Sequence, residues 1–176
     1  KYTAGKLNKP PYKITTQDVV KLHAGNGLGV RHVALSFTES VKDLSLVKRI
    51  CPKAHIIAKI ESAKGVENVR EIASSVESIL IDRGDLAKSV SLEKVPRIQK
   101  KVMDYDSIGC TKVYVATNLM EGMMCSPEPT TGEVNDIWNI LVDGAAGVVL
   151  AGETAIGEYP VECVKWVKRI IDEYEK

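Results

Sequence analysis

Five short runs of β-branched and apolar residues recur along the chain: "HVALSF" (32–37), "HIIAKIE" (55–61), "SILID" (78–82), "KVYVAT" (112–117) and "GVVLAGE" (147–153). Successive runs start 23 to 35 residues apart. Most are apolar on both faces, the pattern of parallel strands buried on both sides. Helix-period segments fill the intervals. In "SVKDLSLVKRI", Ser40 and Asp43 have capping-box spacing. "GVENVREIASSV" is amphipathic. "VPRIQKKVMDYDSIG" puts Pro96 in a first helical turn and is expected to stop near Gly109. "EVNDIWNILVDG" and "PVECVKWVKRIIDEYEK" read the same way. Such alternation specifies an α/β fold with a parallel sheet. A closed eight-unit barrel takes about 250 residues. The 176 residues here supply five strands and six helices and are read as a single domain. Either the sheet is open, or further strands lie outside this sequence.

Composition narrows the function. A net charge of +1 gives no basic field for nucleic acid or a membrane surface. Aromatic residues are only 5%, too few for base-stacking platforms. Cys51, Cys110, Cys125 and Cys163 are scattered, with no C-x-x-C pair for zinc or disulfide exchange. A reduced, cytoplasmic protein is expected. No apolar run approaches the roughly 20 residues of a membrane span, and no segment reads as a signal peptide.

Chemistry collects where the strand-like runs end. Ser36 and Thr38, Lys59 and Glu61, Arg83 and Asp85, Thr117 and Asn118, and Glu153 and Thr154 all lie there. In barrels and in open α/β sheets alike, that edge builds ligand sites. Lys59 and Glu61 are two residues apart and so share one side of a strand. Asp85 follows the next strand. Two carboxylates with open positions suit Mg²⁺ or Mn²⁺. A lysine beside them can neutralise an oxyanion. Gly84 would let backbone approach a ligand. Each residue alone has a plainer reading: Asp85 as a helix cap, Lys59 as an ion-paired side chain. His23, His32 and His55 fall near element starts, away from this edge, and read as structural. Met120, Met123 and Met124 read as packing.

Several long stretches resemble pyruvate kinases: "AKIESAKGVENVREI", "ILIDRGDLA", "VYVATNLMEGMMCSPEPTTGEVNDIWNILVDGA" and "GVVLAGETAIGEYPVECV". They follow the family's order and spacing, and "VRHVALSFTES" is similar to its preceding strand. The resemblance implies a partial (β/α)8 barrel comprising strands four to eight. It implies transfer of phosphate between phosphoenolpyruvate and ADP, with pyruvate and ATP as products. Lys59 would stabilise the enolate and the phosphoryl group in flight. Glu61 and Asp85 would hold Mg²⁺ or Mn²⁺. Arg83, Gly84, Asp85 and Thr117 would line the substrate, with the N–H groups around Gly84 and Asp85 on its carboxylate. Thr117 would lie near the face where the enolate is protonated. Glu133 and Asp136 would be chiefly structural. The family's K⁺ ligands come from earlier strands and match nothing here, which leaves K⁺ unassigned.

The chain also departs from the family. Asp82 and Ala87 stand where the family has a small residue and Gly. Glu39, Asn118 and Thr131 replace Arg or Lys, Gln, and Arg. Asp82 either repels an anionic substrate or faces the helices and is neutral. Three functions follow. The first is a phosphotransferase completed by strands outside this sequence, as a homo-oligomer or with a partner chain. The second is a metal-dependent enolate lyase, aldolase or decarboxylase on a 2-oxo acid. The third is a non-catalytic subunit. The intact Lys59–Glu61–Asp85–Thr117 set disfavours the third, and the resemblance favours the first.

Overall fold

The computed structural model describes residues 14–104 and 111–176. Strands β1 (His32–Leu35), β2 (His55–Ile60), β3 (Ser78–Asp82), β4 (Lys112–Ala116) and β5 (Gly147–Val149) form one sheet in sequence order. Every neighbouring pair is parallel. The order never reverses. Right-handed crossovers then put all connecting helices on one face, as in a barrel wall. Burial agrees: Ile56, Ala58 and Ile60 of β2 are fully buried, while His55, Ile57 and Lys59 on the other face are half-buried. The α/β class and the five-stranded partial barrel are as expected.

The helices are α1 (Thr16–Gly27), α2 (Val41–Ile50), α3 (Ala63–Glu67), α4 (Val69–Ala73), α5 (Arg83–Ser89), α6 (Val95–Met103), α7 (Thr131–Val142), α8 (Gly152–Ala155) and α9 (Pro160–Tyr174). This exceeds the six expected. The "GVENVREIASSV" segment breaks at Asn68, whose amide donates to the Glu39 carbonyl at 2.7 Å. Helices α5 and α8 are short, seven and four residues, and follow the ends of β3 and β5. Pro96 does sit in the first turn of α6, whereas Gly109, its expected stop, lies outside the described residues.

One apolar layer joins the parts. Leu44 and Val47 of α2, Ile72 of α4, Val102 of α6 and Ile137 and Ile140 of α7 pack with Ile56, Ile60, Ile79, Ile81, Val113 and Val115. Met120 and Met123 are fully buried. At the other end of the sheet, His32 and His55 approach at 5.2 Å between ring centroids, and His55 Nε2 bonds Ser78 Oγ at 2.8 Å. Helix starts are closed by side chains. Asp43 accepts from the Ser40 N–H at 2.8 Å and its hydroxyl at 3.0 Å. Glu133 likewise accepts from Thr130, and its other oxygen takes the Gly122 N–H at 2.6 Å, tying the turn after β4 to α7.

Strands end earlier than their apolar runs suggest. Phe37, Thr117 and Asn118 adopt left-handed backbone, with φ of 49°, 68° and 52°. No strand continues through such a residue, and for a β-branched one it is an outlier. Helix α1 has no buried residue. A cavity of about 480 Å³ lies between α1, α2 and β1, lined in part by Leu22, Val33, Leu35, Val47 and Cys51. Cys51 and Cys163 are buried and Cys125 exposed, all free. Burial pushes the Cys163 thiol up to about 11, aided by Glu153 and Glu133. Among the described residues, no helix is long and apolar enough to cross a membrane. Because Ile79 is fully buried in the central strand, Ile79→Ala should lower stability by about 2–5 kcal/mol. A fall in the urea midpoint with unchanged slope checks this.

Candidate active site

The register of β2 on β3 sets Lys59 opposite Leu80 and Ile60 opposite Ile81. The next residues, Glu61 and Asp82, therefore leave the sheet side by side. Lys59 Nζ lies 2.6 Å from Glu61 Oε1 and 3.1 Å from Asp82 Oδ2. Glu61 is 1% exposed and its second oxygen accepts the Phe37 N–H. A buried carboxylate needs such partners to stay charged. Burial alone would lower the Lys59 pKa. The hydrogen bonds and charges of Glu61 and Asp82 outweigh it and raise the ammonium above the ordinary lysine value. Lys59 is thus held as a cation.

Asp82 does not face the helices. It shares the face of Lys59 because Leu80, two residues earlier, pairs with Lys59. It is also the cap of α5, a role that sequence alone offered to Asp85: its Oδ1 accepts from the Asp85 N–H at 3.4 Å. Asp85 stands in the first turn of α5, with Lys88 at 2.7 Å. One oxygen each from Glu61, Asp82 and Asp85 lie within 4.8 Å of one another. Three hard oxygen donors at that spacing have the chemistry of a Mg²⁺ or Mn²⁺ site.

Thr117 joins the group from β4. Its hydroxyl accepts the Gly84 N–H at 2.7 Å, with Ala116 O at 2.6 Å and Asp82 Oδ1 at 3.2 Å competing for its proton. A Cβ on Gly84 would lie 3.3 Å from that hydroxyl, tighter than an ordinary contact. Arg83 turns the other way. Its guanidinium donates to Thr117 O at 3.1 and 2.9 Å and to Asn118 O at 2.6 Å, and it forks onto Asp136 at 2.7 and 3.0 Å. Its side chain therefore fastens the β4 turn to α7, and only its backbone belongs to the loop that carries Gly84 and Asp85. The structure so brings together Lys59, Glu61, Asp85, Gly84 and Thr117, adds Asp82, and leaves the Arg83 side chain aside.

Departures on the rim find local partners. Glu39 accepts from Ser62 Oγ at 2.8 Å and lies 3.6 Å from Lys64. Asn118 donates to Glu121 at 2.7 Å. Thr131 is the exposed first residue of α7. The Phe37 N–H had no sequence signal, since any residue supplies one. The Asp136 contact had only its carboxylate, far from Arg83 in sequence. Breaking the Arg83–Asp136 fork should cost stability: Arg83→Ala about 1–3 kcal/mol, because the half-buried Asp136 and two carbonyls lose their donor. Arg83→Lys should recover only part, since an ammonium cannot fork. Urea unfolding of both variants measures the difference.

The geometry agrees with kinship. The chain matches the model of the pyruvate kinase barrel domain over residues 5–164. It is 37% identical over 164 residues to a pyruvate kinase of Agrobacterium vitis, covering 93% of this chain and 34% of that protein. It is 36% identical over 169 residues to the pyruvate kinase of Mycobacterium intracellulare, covering 94% and 36%. With that of Chlamydia muridarum it shares 37% over 168 residues, covering 93% and 35%. The chain thus spans about a third of the length of the curated relatives it matches. Strand order, the carboxylate–lysine cluster and these matches agree: the chain belongs to the pyruvate kinase family, within its barrel domain.

Proposed function

We propose that this chain carries the enolate-forming half of a pyruvate kinase-type site, which transfers a phosphoryl group between phosphoenolpyruvate and ADP. The observation that carries the reading is the convergence of Lys59, Glu61 and Asp85 on one face at adjacent strand ends. Glu61 and Asp85 would hold Mg²⁺ or Mn²⁺. When bound, the cation supplies Lewis-acid stabilisation to substrate oxygens. Lys59, kept protonated by its carboxylates, places a positive charge where the enolate oxygen and the moving phosphoryl group carry negative charge. Thr117, anchored by Gly84, presents a hydroxyl beside the enolate face and can order the water that protonates it. Gly84 and Asp85 present backbone on the substrate's carboxylate side. The nucleotide side requires barrel strands that this sequence does not include, from the same polypeptide, a second copy or a partner, in a cytoplasmic protein. Among the described residues β1 pairs on one side only, and that edge with the cavity beneath α1 supports a wall that continues past β1.

Two measurements test this. Mn²⁺ titrated into the protein should occupy one site, and Glu61→Gln or Asp85→Asn should each weaken it about 10-fold or more. The protein should also make ATP from phosphoenolpyruvate and ADP. Lys59→Met should lower that rate by about 10² to 10³. Exchange of pyruvate methyl protons with D₂O and no ATP formation would favour the lyase reading. Neither activity, with Mn²⁺ bound, would favour the non-catalytic one.

A further inference from the structure

Asp82 is a carboxylate standing where an anion is wanted. Its Oδ2 lies 3.1 Å from Lys59 Nζ. Its Oδ1 faces the Thr117 hydroxyl at 3.2 Å and the Asp85 N–H at 3.4 Å. It is only 8% exposed, so these donors hold it in place. The ammonium, hydroxyl and amide that would meet a substrate anion thus already meet a side chain of the protein. Charge points the same way. Glu61 and Asp85 with Lys59 and a divalent cation would leave one positive charge to attract substrate. A third carboxylate removes it.

We propose that Asp82 is a specificity-determining residue, a competitor built into the site that an anionic substrate must displace from Lys59 in order to bind. The proposal rests on the reading of the site given above. Displacement is open to Asp82 because its partners are exchangeable. The Lys59 ammonium keeps Glu61 at 2.6 Å, and the Thr117 hydroxyl keeps the Ala116 carbonyl. The penalty grows with ligand charge, since Asp82 repels each added negative charge at close range. Asp82 therefore biases the site toward a singly charged 2-oxo acid and weakens its hold on doubly charged anions.

The test uses Mn²⁺-loaded protein, with binding followed by water-proton relaxation. Oxalate serves as the dianion and pyruvate as the monoanion. Asp82→Asn removes the charge and keeps an oxygen for the α5 cap; Asp82→Ala removes both. Oxalate should bind about 10-fold or more tighter to Asp82→Asn than to the parent protein, the scale of removing one close like charge in a partly wet site. Pyruvate should gain less, each anion being titrated at saturating Mn²⁺. Asp82→Ala should behave alike if it folds, and Asp82→Asn decides if it does not. Unchanged or weaker oxalate binding in Asp82→Asn, with Mn²⁺ still lost in Glu61→Gln, overturns this proposal alone. Loss of Mn²⁺ from Asp82→Asn also overturns it, by making Asp82 a metal ligand. Failure of the parent protein to bind Mn²⁺ overturns the reading of the site and the proposal together.

Discussion

The unshifted pairing of β2 on β3 is the constraint on which the site depends. Lys59 faces Leu80, so residues 59, 61, 80 and 82 fall on one side of the sheet. A slip of one residue would turn Asp82 toward the helices and bury it in the apolar layer. Register and charge also hold each other. Glu61 is 1% exposed and paired by Lys59, whose ammonium is in turn stabilised by Glu61 and Asp82 against the cost of its own burial. The apolar side chains on the opposite face, Ile60 and Ile81 among them, supply the register. The hydrophobic layer on one side of the sheet thereby sets the electrostatics on the other.

Strain and its support are arranged around the same edge. Thr117 and Asn118 are consecutive left-handed residues, each costing about 1–3 kcal/mol. They aim two carbonyls at Arg83, which also grips Asp136. The turn is thus held from below by the Arg83 guanidinium and from the side by the Gly84 N–H. A hydroxyl positioned this way cannot wander.

Much of this was legible from residues. The five β-branched runs revealed strand number and direction, because a strand buried on both faces has few other compositions. The two-residue spacing of Lys59 and Glu61 revealed their common face. Ser40 and Asp43 revealed a helix start. What escaped depended on partners distant in sequence. The facing of Asp82 needed the register with β2, which no local pattern encodes. The direction of Arg83 needed the position of Asp136. The early strand ends at Phe37 and Thr117 needed φ values that neither residue type prefers. Charged residues with one neighbour in sequence and another across the sheet are the least readable, since only the folded chain chooses between the two.

Helix α1, which has no buried side chain and lies over a cavity, carries a consequence for how the molecule opens. It meets the core only through half-buried side chains such as Leu22, and a capping box at Thr15 and Asp18 closes its start. The backbone hydrogen bonds of β3, with all five residues buried between β2 and β4, break only when the sheet itself does. Amide protons of α1 should therefore exchange through local opening, far faster than those of β3, whose exchange reports global unfolding. The molecule is built with a loose end next to β1 and a firm centre that carries the lysine and carboxylates.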